Sequence, residues 1–338
     1  MKSFVKEPIL FFVLLLTTLV SCGPSPQAGG GIGGTGYTAL VVSGPITNTS
    51  STNVAVSEYD YNTSLAVITM EGASRNQSDL KKGMVVLVKA TLTHNYGTND
   101  PPQRTAHTLS YEDTVEGIVQ SVAQDGSSLV ALGQTVRITT KTILDASIPG
   151  QNILSLMPGR DLVEVSGFIT GDGTIIATRI NLKAEAPDYQ VKGFIKNHDA
   201  ARKTFEIGSL TVDYRNADLR DMLNHTNSSW NGLVVNIRGS QVLSGGLGAD
   251  GVRMTATKLI SDELGTADAE DAEDAEIQGI VTQVVAPGDF YLGNVHVRTS
   301  AGTIVEGGVL NDILVDTHLE VYGSLVGGMV NATKVEFE

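Results

Sequence analysis

The chain is poor in cysteine and aromatic residues: it has one cysteine, Cys22, one tryptophan, Trp230, and only 5% Phe, Trp and Tyr together. A single cysteine excludes any disulfide within the chain, even in an oxidising compartment. So few aromatics leave no visible stacking platform of the kind that grips sugars or single-stranded nucleic acid. Charged residues are scarce too, 18% against 41% hydrophobic, which excludes a disordered, self-repelling chain. The apolar run from Ile9 to Val20 spans 12 residues, whereas a spanning helix needs roughly 20.

What is present is glycine, 37 residues of 338, with recurrent Val, Ile and Thr. That composition predicts many short strands joined by tight turns, in a chain long enough for two to four domains. The formal net charge is −14, and loss of a leader of net +1 (Lys2, Lys6, Glu7) takes it to −15. Such a body repels phosphate backbones, so nucleic acid is not expected as a partner.

Lys2 and Lys6 followed by the Ile9 to Val20 run have the length and charge of a secretory leader. Leu19-Val20-Ser21-Cys22 then resembles the bacterial lipobox: an aliphatic residue, a small or aliphatic one, a small one, and cysteine. The resemblance implies that the Cys22 thiol takes a diacylglycerol group and that a peptidase cuts between Ser21 and Cys22. The freed amine of Cys22 can then be acylated, and two or three acyl chains anchor stably. The implied partner is therefore a membrane, reached through lipid on Cys22, and the implied location is the cell envelope. Gly23 stands where Asp would favour retention at an inner membrane, which points to the outer one. Residues 23–36 (GPSPQAGGGIGGTG) lack hydrophobic periodicity and read as a tether reaching about 20 Å.

An internal repeat follows. Its second copy contains Val115-Glu116-Gly117-Ile118-Val119, Leu162 to Gly167, and Ala177-Thr178-Arg179. The third has Val191-Lys192-Gly193, Val234 to Gly239, and Ala256-Thr257-Lys258; the fourth has Ile277-Gln278-Gly279, His318 to Gly323, and Ala332-Thr333-Lys334. A diverged first copy shows Gly83 to Val88 and Ala106 to Leu109 in the last two places. Val163 and Val165, Val235 and Ile237, and Leu319 and Val321 each share a strand face with the following glycine, opposite Glu164, Asn236 and Glu320. Period-two alternation with one apolar face predicts half-buried antiparallel strands. Arg179, Lys258 and Lys334 are expected to point to solvent, and Ala217 to Asn224 to form a short helix.

About five strands per copy, with an irregular stretch between the third and fourth, predict an all-β chain of tandem five-stranded OB-like Greek-key barrels. Repeats of β-sandwich type are the alternative. The expected domains are a leader at 1–21, lipidated Cys and tether at 22–36, barrels at 37–113, 114–186, 187–265 and 277–338, and an acidic linker at 266–276. The opening glycines (Gly117, Gly193, Gly279), the later ones (Gly167, Gly239, Gly323) and the Ala-Thr-basic closures resemble a bacterial lipoprotein family of tandem small β-barrel domains of unknown function. The resemblance implies small barrels and no catalytic residues.

His94, His107, His198, His225, His296 and His318 are scattered without metal-ligand spacing. No nucleophile elbow, phosphate loop or paired-carboxylate motif appears, so neither an enzyme nor a cofactor is expected. Trp230 reads as a packing plug. Two functions stay open: a non-enzymatic structural or interaction protein of the envelope, and a module binding a small ligand, metal or glycan. A pocket lined by polar groups from different copies would favour the second.

Overall fold

The computed structural model describes residues 36–94, 101–184, 188–222, 229–244, 251–262, 264 and 270–338. The leader, Cys22 and the tether up to Thr35 lie outside the described residues. Among the described residues the regular elements are strands and four short 3-10 turns.

Unit 2 shows the plan. Its first strand, Val115–Val122, pairs antiparallel with the second, Ser128–Ala131, which pairs with the third, Gln134–Arg137. The third runs parallel to the fifth, Ile175–Lys183, and the fifth pairs with the fourth, Leu162–Ile169, which returns to the first. The cycle closes a five-stranded barrel with no free edge. Unit 4 closes identically through Ala272–Ala286, Asp289–Leu292, Val295–Arg298, His318–Val326 and Met329–Phe337. In unit 3 the first strand is interrupted at Ile195: Tyr189–Phe194 pairs with the fourth strand, Val234–Ser244, and Lys196–Asp199 with the second, Thr204–Ile207. Unit 1 follows the same cycle through Gly36–Thr49, Asn53–Val56, Tyr59–Asn62, Val85–His94 and Gln103–Tyr111. The tandem barrels expected from the repeat are therefore present, and the diverged first copy shares their plan.

The glycines mark two tight places. In the fourth strands, a Cβ on Gly167 or Gly323 would sit 2.3 Å or 2.2 Å from a carbonyl oxygen of the fifth strand. Both lie at register shifts where the strand bends around the barrel. In the first strands, a Cβ on Gly117 would come within 2.5 Å of Leu132. Gly44, opposite Val86 as Gly117 is opposite Val163, fills that place in unit 1, where Ser57 lies 2.6 Å from the Cβ position.

Three expectations need correction. Residues 217–222 do not form a helix: Asp218–Asp221 is a short strand running parallel to Val252–Ser261, and residues 223 and 224 lie outside the described residues. Equivalent short strands at Val67–Met70, Ile143–Leu144 and Ile304–Glu306 lie parallel to their fifth strands, so parallel pairing overrides local helix propensity here. Nor does the acidic segment end as a linker at 276, because Ala272–Glu276 is the start of a 15-residue strand. Ala272 and Ala275 join the core of unit 4, and the segment pairs with the fourth strand of its own unit. Lastly, Arg179 does not point to solvent. It is 6% exposed, ion-paired with Asp145, and donates to the carbonyl of Lys82 across the boundary with unit 1.

The barrels are not beads on a string. Residues Thr35–Glu338 make one compact unit that holds the three hydrophobic clusters of the described residues, and a compact unit with its own hydrophobic core is one that folds alone. First strands join the barrels in pairs: Leu40 to Ser43 of unit 1 runs parallel to Asp274 to Ile277 of unit 4. Val115 and Glu116 of unit 2 pair antiparallel with Val191 and Gln190 of unit 3. Units 2 and 3 share one continuous core.

Candidate functional site

Because the units join through their first and fourth strands, the outer faces of those strands meet other units instead of water. Glu116, Glu164, Gln190, Asn236, Glu276 and Glu320 are all buried. This corrects the expected solvent-facing role of Glu164, Asn236 and Glu320. Where units 1, 2 and 3 meet, the Lys183 ammonium lies 2.8 Å from Glu116, 3.3 Å from Glu164 and 3.6 Å from Glu71. Arg238 reaches Glu112 at 2.7 Å and donates to the carbonyl of Glu71. Glu112 also accepts from Asn236 and Gln190.

Asp113, on the segment between units 1 and 2, is fully buried and accepts a hydrogen bond from the Tyr111 hydroxyl. Burial first, then the charge on Glu164 and the approach of Glu71, push its carboxyl well above the usual range. Burial acts the same way on Glu71, but its hydrogen bond with Asp113 and the Lys183 charge outweigh it and hold Glu71 low. Asp113 thus holds a proton more firmly than Glu71. Oxygens of Glu71, Asp113 and Glu164 lie within 4.8 Å of one another, close enough to hold a metal ion. Lys183 already stands against two of these three acids. At the junction of units 1 and 4, Glu276 is pushed up to about 8 by burial and then by the neighbouring charge of Glu320.

Beside these junctions a cleft of about 650 Å³ opens between units 1, 2 and 4. Its volume falls in the range of small-molecule sites. The same outer faces build it. On the fourth strand of unit 2, Glu164 faces the acid junction, Ser166 Oγ accepts from the Val85 amide of unit 1 at 2.8 Å, and Phe168 lines the cleft. On the first strand of unit 4, Glu276 lies in the junction while Gln278 and Ile280 line the cleft. Unit 1 contributes Ile46, and Ile143 and Ile176 of unit 2 add to an apolar wall. Lys82, Arg137 and Lys141 are matched at the rim by Asp172, Asp316 and Glu338.

Three lining residues carry a buried polar atom with no hydrogen-bond partner among the described residues: Thr178 Oγ1, Gln278 Oε1 and His318 Nε2. The His318 ring packs 5.2 Å from Phe168, centroid to centroid. Burial, and then the nearby Lys141 charge, pull its imidazole down to about 4, so it is neutral at neutral pH. Such orphaned groups are uncommon inside proteins, and each demands a partner or a reason.

The other flagged residues lie elsewhere. Trp230 is a plug, stacked 4.5 Å from the ring of His198, which bonds the Tyr214 hydroxyl at 2.7 Å. His296 pairs with Asp289 at 2.6 Å across the second and third strands of unit 4, both side chains half-buried. Cys22 and Ser21 lie outside the described residues. His318 was legible only as the first residue of a strand. Its place against Phe168 shows up only once units 2 and 4 are brought together.

Residues 116–181 and 278–336 match the family described as a domain of unknown function (DUF5666). These stretches are the bodies of units 2 and 4, so the chain carries tandem β-barrel domains of that description. No curated protein matches the chain.

Proposed function

We propose that the chain is a lipid-anchored, non-enzymatic protein of the bacterial cell envelope, whose four barrels serve as a single interaction head. The observation that carries this reading is the order of parts. An apolar leader ends at Leu19-Val20-Ser21-Cys22, a Gly-rich tether follows, and one compact body begins at Thr35. Gly23 in place of Asp supports the outer membrane as the site of anchoring. The closure order of the barrels, with third and fifth strands parallel, supports an OB-type reading of each unit. The test is replacement of Cys22 by Ser in cells fed a fatty-acid probe. Labelling is lost and uncut precursor accumulates; continued labelling of Cys22→Ser would refute the anchoring.

A second reading, a module that binds a small ligand, is favoured by one observation. Residues of units 2 and 4 with buried polar atoms unpartnered among the described residues line one cleft that unit 1 completes.

A further inference from the structure

Resting on that second reading, we propose that the cleft between units 1, 2 and 4 binds an uncharged, largely apolar small molecule carrying one or more hydrogen-bonding groups. The wall of Ile46, Ile143, Phe168, Ile176 and Ile280 offers contact area but no partner for a charge. An ion seated against it would lose its hydration without compensation. The rim does not select a sign, since three cationic side chains face three carboxylates and their fields cancel at the mouth. The unpartnered groups buried in its wall are neutral: a Thr hydroxyl, a Gln amide oxygen and an imidazole that burial keeps uncharged. They come from the fifth strand of unit 2 and the first and fourth strands of unit 4. A donor on the ligand satisfies Gln278 Oε1, and hydroxyl or amide groups suit Thr178 Oγ1 and His318 Nε2.

The experiment uses the folded part, residues 35–338, and three fluorescent probes of nearly one shape. N-phenylnaphthylamine is neutral with one N–H, anilinonaphthalene sulfonate adds a negative charge, and phenylnaphthalene lacks the N–H. The neutral amine binds saturably at one site per chain, about five-fold tighter than the hydrocarbon, the worth of about one hydrogen bond, and at least ten-fold tighter than the sulfonate. Ile176→Glu, which places a charge on the half-buried wall, removes that binding while the far-ultraviolet circular dichroism stays that of the parent. If the sulfonate binds as tightly as the amine, the uncharged class is wrong although the cleft binds. If the hydrocarbon matches the amine, the orphaned polar atoms do not recognise ligand. Absence of saturable binding by all three sinks the binding reading itself. Binding that survives Ile176→Glu places the site elsewhere and overturns the proposal.

Discussion

Glu276 is 4% exposed and lies diagonally across paired strands from Glu320, which is 2% exposed. Two carboxylates this close in a dry junction cannot both ionise without large cost, and one holds its proton more firmly than it would in water. The sign of the consequence follows from linkage. Folded Glu276 titrates near 8 and the unfolded side chain near its ordinary 4.5. Between those values the folded state therefore binds more protons, and stability falls as pH rises. The stabilising share is fully present below about 4.5 and gone above about 8. Glu276→Gln keeps the size of the side chain and removes the titration. Thermal melts at pH 8.5 should show the variant more stable than the parent, by on the order of a few kcal/mol. Near pH 4 the two should melt alike. A constant difference at both pH values would mean that the ionisation of Glu276 is not what the junction resists.

At the scale of elements, the apolar alternation of the fourth strands was readable because each strand packs one face inward on its own barrel. Val163, Val165 and their counterparts follow directly from period two. The opposite faces were not readable, because Glu164, Asn236 and Glu320 meet different groups in the assembled molecule, Lys183 with Tyr111, Glu112, and Glu276 respectively, and so differ in chemistry. The candidate site lies on those faces, so its residues carried no shared pattern in the repeat. The acidic segment shows the same limit. Its acids suggested a solvated linker, yet Ala272 and Ala275 are small enough to enter a core beside unit 1, and the strand begins with them. Strand pairing on both sides shields the backbone from protease. A glutamyl endopeptidase should therefore leave the bonds after Glu273 and Glu276 intact in the folded protein and cut them once it is denatured. Release of a fragment starting at Ile277 from native protein would show that this strand is not formed.

For the whole molecule, the chain order of the units differs from their order in space: unit 1 pairs with unit 4, and unit 2 with unit 3. The bridge between the first strands of units 1 and 4 therefore waits for the last unit, a contact of very high sequence separation that slows assembly. Units 2 and 3 are bound more closely still. Gly133 of one sits where a Cβ would lie 2.7 Å from the Leu210 amide of the other, and Gln134 Nε2 donates to the Ile207 carbonyl at 2.8 Å. With one core between them, neither unit can open without stripping apolar surface from its partner. Ile237, fully buried in unit 3, tests that coupling. Ile237→Ala should cost about 2–5 kcal/mol. Hydrogen exchange should then report equal losses of protection at Val235 and Ile237 in unit 3 and at Val163 and Val165 in unit 2. Loss confined to unit 3 would mean that units 2 and 3 open independently despite the core they share.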